Sequence, residues 1–288
     1  MWLASGYFDE SFDKFEDATY TVAGLVGSEW DALILDLRWQ ELLKRYNLAY
    51  FKASEIELGF GEFRQYRDDP QDVKRKLSSR EKALIREIKT AFIDLICEQD
   101  ELRGVAACML VRDYRALKAE LPDFHRRLPI PYVLCADLML VEAGSRMNIT
   151  NELHPKTPGV LRPVFDSHKD YQARFTRGFQ TFSKKNPKSS VSLLPPIFEK
   201  EQDYKCLQAA DCIAYESRKL LFNTFFDPER DERIAMTRLK ESVMDVMYLL
   251  DYDNLKTIAM GQHLADEIPI KPEIDNRGKF RATKIRNG

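Results

Sequence analysis

Two adjacent carboxylates, Asp9 and Glu10, close an apolar run that begins almost at the first residue and ends in Gly6-Tyr7-Phe8-Asp9-Glu10-Ser11. Acids are poor strand residues and costly to bury without a partner, so a strand that delivers them calls for a compensating charge. A divalent cation supplies one. Two further aspartates stand in comparable settings: Asp166 follows the apolar run Val160 to Phe165, and Asp211 lies in Leu207-Gln208-Ala209-Ala210-Asp211. The alanines let a helix approach a sheet closely, and Gln208, Asp211 and Tyr215 share one helical face. Three or four carboxylates around one or two Mg2+ or Mn2+ ions form an arrangement for phosphoryl transfer to water. Such ions take oxygen ligands and keep several waters, so neither histidine nor cysteine is required.

The same residues also have plainer roles. Asp9 can cap a hairpin and Asp166 can cap the helix that follows it. Asp211, in mid-helix, has no such local role. Strand neighbours point to opposite faces, so one of the Asp9–Glu10 pair is expected to touch a metal directly. Glu55 and Glu57 fit either a surface position or, for one of them, a fourth ligand. Lys52 can balance the acids, hold a phosphate or stay solvated, and His168, close to Asp166, can aid proton transfer. Glycine-rich phosphate loops are absent from the sequence, which argues against a nucleotide-dependent kinase or ATPase.

The elements that must position these acids follow from periodicity. Trp2 to Phe8 and Ala18 to Val26 read as a hairpin, and Ser28 as the N-cap of a helix reaching Tyr46. Tyr50 to Leu58 reads as extended, Gly59 opens a polar stretch, and Ser79 to Leu102 reads as a long helix. Gly104 to Val111 is a fully apolar strand. Helices are expected at Asp113 to Leu121 and Tyr132 to Met147, with a loop from Asn148 to Gly159. Pro163 is expected to shorten or fray the strand ending at Asp166, because proline cannot donate to a ladder. A basic helix from Lys169 to Lys185, a short strand from Ser190 to Leu194, a helix from Tyr204 to Phe226 and a helical region from Asp231 to Leu250 complete the chain. This order predicts a mixed sheet with helices on both faces.

Composition sets the broad class. With 288 residues, 44% of them hydrophobic and 31% charged, the chain can bury a large core. The formal net charge of −2 gives no global basic field. Basic residues instead gather at Lys169 to Lys188, which includes Arg174 and Arg177, and at Lys271 to Arg286; either stretch can touch phosphates. Five cysteines without a CxxC pair read as free thiols in a reducing cytoplasm, and no apolar run reaches the length of a membrane span.

Tyr7-Phe8-Asp9-Glu10-Ser11 and Leu207-Gln208-Ala209-Ala210-Asp211 resemble the two signatures of the domain-of-unknown-function 3800 family: an Asp-Glu-Ser strand and a Gln-x-Ala-Asp helix. Phe51-Lys52-Ala53-Ser54-Glu55-Ile56 is similar to a third, weaker motif in which histidine is common in place of Lys52. The resemblance spans roughly Trp2 to Leu221. It implies a ribonuclease H-like fold and metal-dependent nuclease activity, in a family whose members often lie near mobile elements and phage-defence genes. By the same resemblance Asp9, Asp166 and Asp211 are metal ligands, and Glu10 or Glu55 supplies the fourth. The chain departs from the pattern at Lys52 and at Glu199-Lys200-Glu201.

The expected architecture is therefore an α/β ribonuclease H-like mixed sheet of strand order 3-2-1-4-5. Residues 1–226 form the catalytic domain, with a helical insertion at about 59–103; a C-terminal helical extension covers 227–268 and a basic tail 269–288. The expected function is Mg2+- or Mn2+-dependent hydrolysis of phosphodiester bonds in DNA or RNA. Asp9, Glu10, Asp166 and Asp211 are the expected catalytic residues, Asp9, Asp166, Asp211 and Glu55 the metal ligands, and Lys52, Arg174, Arg177 and Gln208 the substrate contacts. The alternatives are an inactive binding or assembly subunit that kept the fold, and a hydrolase of small phosphate esters. Nucleic acid is the expected partner, with room for a homodimer or a protein partner.

Overall fold

Strand β1 (Trp2–Phe12) carries Asp9 and lies at the centre of the sheet. The computed structural model describes residues 2–13, 18–121, 123–124, 129–153, 159–167, 171–177, 179, 192–260, 273–274 and 280–281. On one side β1 pairs antiparallel with β2 (Thr19–Ser28), which pairs antiparallel with β3 (Arg103–Leu110). On the other side it pairs parallel with β4 (Gly159–Asp166), whose outer edge holds two short parallel pieces, β5 (Ser192–Leu193) and β6 (Ile197–Glu199). The order 3-2-1-4-5 expected of a ribonuclease H-like sheet is therefore present. It is extended beyond β3 by a parallel strand, β7 (Met244–Leu250).

That last strand corrects the reading of Asp231 to Leu250 as one helical region. The apolar spacing of Leu239, Val243, Val246, Met247 and Leu250 suits a helix, but a short apolar run does not distinguish the two states. The exposed edge of β3 does, because its unpaired amides and carbonyls need a partner.

The helices that bracket the sheet include α1 (Glu29–Arg45), α2 (Ala53–Leu58), α3 (Ser79–Cys97), α4 (Val111–Glu120), α5 (Pro131–Leu153), α6 (Lys205–Phe226), α7 (Ile234–Ser242) and α8 (Tyr252–Ala259). One face buries Trp39, Phe51, Phe63 and Phe92 with Ala209 and Ile213 of α6. The other buries Phe8, Tyr20, Tyr132, Met139 and Phe165. Ser28 caps α1 through an Asp31 N–H donated to its Oγ (3.1 Å), as its position implies. Helix α5 continues to Leu153, into the stretch expected as a loop. Among the described residues no helix is long and apolar enough to cross a membrane.

Two local results differ from the reading of the sequence. The piece from Tyr50 to Leu58, expected to be extended, turns into α2 after Lys52. The helix ends at Gly59, whose left-handed φ of 63° suits a residue without a Cβ. Pro163 neither shortens nor frays β4. The carbonyl of Leu161 accepts from Leu194 N–H, so alternate residues of β4 face the outer edge, Pro163 among them. Pro163 falls between the last β4–β5 pair, at Leu161, and the first β4–β6 pair, at Val164, so its missing donor costs no ladder bond.

The basic stretch from Lys169 to Lys188 lies largely outside the described residues, as does His168. Within it residues 171–177 are helical. The tail is described only at Glu273–Ile274 and Phe280–Arg281, which pair as a two-stranded ladder.

Candidate metal centre

The parallel pairing of β1 with β4 brings two acids side by side. One residue beyond the Phe8–Phe165 pair stand Asp9 and Asp166, at the same end of adjacent strands. Asp166 also pairs with Glu199 of β6, and the turn that follows carries Glu201, whose N–H donates to Asp166 Oδ1 (2.9 Å). Helix α6 leaves this turn and crosses β1 and β2, which places Asp211 over Asp9.

The result is two overlapping groups of carboxylates. One oxygen each from Asp9, Glu10 and Asp166 lie within 4.8 Å of one another, and so do one each from Asp9, Glu201 and Asp211. Asp9 belongs to both. Glu10 joins although strand neighbours alternate in direction; its own N–H donates to Asp9 Oδ1 (2.7 Å), which turns that carboxylate toward the strand end. Both members of the pair therefore bring an oxygen to the same group.

Burial sets the electrostatics. The Asp9 carboxyl is pushed well above the usual carboxylate range, first by burial and then by Glu10, Asp211, Glu201 and Asp166. Glu10 is pushed up to about 8 by burial and then by Asp166. Glu201 is pushed up to about 8 by burial and then by Asp211, against the pull of Lys52. Asp211 is also raised by burial, opposed by Lys52 and by the Ala53 amide. Burial would lower the Lys52 ammonium, but Asp211, Glu201 and Asp9 outweigh it and raise its pKa.

Among the described residues, two oxygens of these groups have no partner. Glu10 Oε2 and Glu201 Oε1 are buried and accept no hydrogen bond, one in each group. A buried unpaired carboxylate oxygen is costly, and hard divalent cations favour oxygen ligands of this kind. The donor set therefore fits a metal ion. A bound ion would give these two oxygens the partner they lack.

The other expected residues are placed differently. Glu55 is not in either group. Both its oxygens accept from Tyr50 Oη (3.2 and 3.0 Å) and it folds over Gly61, where a Cβ would lie 1.7 Å from Oε2. Glu201 occupies the place foreseen for Glu55, and it comes from the stretch where the chain departs from the family pattern. The sequence around it carries no motif that would have singled it out.

Gln208, expected to touch substrate, is fully buried and spent on the protein. Its Oε1 accepts from Trp39 Nε1 (2.9 Å) and Phe51 N (2.9 Å), and its Nε2 donates to the carbonyls of Glu201 (3.1 Å) and Gln202 (3.3 Å). All four of its hydrogen-bonding sites are filled. One turn on, Asp211 Oδ2 accepts from Ala53 N (2.6 Å), the first amide of α2. Asp211 thus caps a helix distant in sequence, a role its mid-helix position hides. Lys52 extends between these groups and ion-pairs with Glu201. Arg174 and Arg177 lie exposed on the helical residues 171–177, and Arg177 Nε donates to the Ala173 carbonyl (3.2 Å).

No protein-family model matches the chain, and neither does any curated protein. The resemblance to the domain-of-unknown-function 3800 family accordingly rests on its short motifs. Among solved structures, a chain of the PCNA:RNase HII complex from Archaeoglobus fulgidus is similar at 14% sequence identity and a TM-score of 0.35, over 99% of this chain and 98% of that chain.

Proposed function

We propose that the protein is a Mg2+- or Mn2+-dependent nuclease that hydrolyses phosphodiester bonds of DNA or RNA at the Asp9 centre. The observation that carries this reading is the sharing of Asp9 between two carboxylate groups, a donor set that would hold a pair of divalent cations. Bound ions of this kind activate a water and stabilise the leaving oxygen.

The chain's own residues prepare that chemistry. Asp9, Glu10 and Asp166 would hold one ion, and Asp9, Glu201 and Asp211 the other. The Glu201 and Ala53 amides hold Asp166 and Asp211 in place, so the shell is oriented before any ligand arrives. Lys52 offers a cation beside the acids for a scissile phosphate, and Arg174 and Arg177 offer charge to the backbone on either side. The motif resemblance supports the same reading.

The direct test incubates the purified protein with single- and double-stranded DNA and RNA in the presence of Mn2+. The expected result is cleavage of at least one substrate, abolished by the Asp9→Asn/Asp211→Asn double substitution. Equal cleavage by the double variant, or none by the native protein on any of the four, overturns the proposal.

A further inference from the structure

The two carboxylate groups are alike in composition but not in surroundings. Among the described residues no ion pair reaches Asp9, Glu10 or Asp166, whereas Lys52 Nζ is bonded to Glu201 in the group that contains Asp9, Glu201 and Asp211. The charge of Lys52 is also felt by Asp211, Asp9 and Glu10, but its bond is to Glu201. Its side chain is 36% exposed while that of Glu201 is 6% exposed, so the ammonium enters from solvent and the carboxylate it meets is fixed.

Lys52 is moreover held at its backbone, while its paired ammonium sits at the end of a flexible stem. It is the extended residue preceding α2, and its neighbours are pinned to α6: Phe51 N by Gln208 and Ala53 N by Asp211. A lysine on a four-carbon stem can leave an ion pair without moving those neighbours. The carboxylates cannot follow it, since Asp9, Glu201 and Asp211 are buried in the sheet, the turn and the helix.

Resting on the reading of the Asp9 centre as a metal site, we infer that Lys52 is a built-in competitor for one of its two cation positions. The position formed by Asp9, Glu10 and Asp166 fills first. The position formed by Asp9, Glu201 and Asp211 fills only as the Lys52 ammonium is driven from Glu201. Lys52 is thus a positioning residue: it neutralises the second group while that group is empty, and on release its ammonium stands at the edge of the centre, where an anionic phosphate gives it a new partner. Second-cation binding and phosphate binding are then coupled, and the coupling is reciprocal.

Calorimetric titration of the metal-stripped full chain with Mn2+ tests this. The native protein is expected to take one Mn2+ tightly and a second at least about tenfold more weakly. Lys52→Met should tighten the second step about tenfold or more and change the first by less than about threefold, while Lys52→Arg, which keeps the charge, should leave the second step weak. A native second step as tight as the first, or one unmoved in Lys52→Met, overturns the inference and leaves the metal reading standing. Failure of every form to bind Mn2+ overturns both. Should Lys52→Met not fold, the side-chain resonance of Lys52 in native protein labelled at lysine decides the matter under Mg2+. It should move with the second equivalent, and movement complete at the first equivalent overturns the inference.

Discussion

Glu201 shows what a single residue contributes to this centre. It adds the acid that makes the second group, its amide orients Asp166, and its carbonyl is clasped by Gln208. Removing the clasp should therefore be expensive. Gln208→Leu leaves Trp39 Nε1, Phe51 N and the Glu201 carbonyl without their partners, and a loss of about 3 kcal/mol is expected in urea unfolding of the metal-free protein. Titration gives a second expectation at this scale. Glu10 is raised from 4.5 to about 8 when folded, so between those values the folded, metal-free chain holds a proton that the unfolded chain has released. Stability then falls as pH rises through that window. The melting temperature of the metal-free protein should drop from about pH 5 to about pH 9, and saturating Mn2+, which requires ionised carboxylates, should flatten or reverse the slope. A flat profile without metal contradicts the burial of this acid. Asp9, Asp166 and Asp211 were legible in the sequence because acids interrupt apolar runs. Glu201 and Gln208 were not, since a turn glutamate and a neutral amide violate no local rule and acquire their roles only from neighbours far along the chain.

At the scale of elements, the centre depends on α2, α3, α6 and α7 holding a common position. Glu216 on α6 is fully buried, accepts from Lys89 Nζ of α3 (2.5 Å) and Arg233 Nε before α7 (2.7 Å), and both cations also pair with Glu57 of α2. The four charges balance, and Lys89 and Arg233 both lie near the ring of Tyr215, one turn beyond Asp211. Removing the buried anion of such a quartet leaves two partly buried cations with one carboxylate between them, at a cost of about 3 kcal/mol. Glu216→Ala is expected to destabilise by that order in chemical denaturation. A change under about 1 kcal/mol would show that the quartet does not fix these helices. Periodicity located α1, α3, α4 and α6 within a few residues, because each carries a long amphipathic or apolar repeat. It misread α2 and β7, whose states are decided by partners: the Asp211 carboxylate at the first amide of α2 and the open edge of β3 beside β7.

For the molecule as a whole, the net charge of −2 conceals a local concentration of five acids paired, among the described residues, with one lysine. These acids come from β1, the end of β4, the turn after β6 and the middle of α6, so Asp9 and Asp211 meet although about 200 positions separate them. The strand order that brings them together was foreseeable from hairpin, single strand and strand–helix succession; the seventh strand at the far edge was not, and it lies away from the centre. A cation held by such distant segments cross-links them in the folded state and finds no equivalent in the unfolded chain. Binding must then appear as global stability, by mass action. At a Mn2+ concentration about one hundred times the dissociation constant the gain is about 2.7 kcal/mol, or roughly 5 °C in melting temperature for a chain of this size. Asp9→Asn, which alters the acid common to both groups, should lose most of that shift, whereas Glu55→Gln, outside both groups, should keep it. Equal shifts in the two variants would place the bound ion elsewhere on the protein and dissolve the connection between this sheet topology and its chemistry.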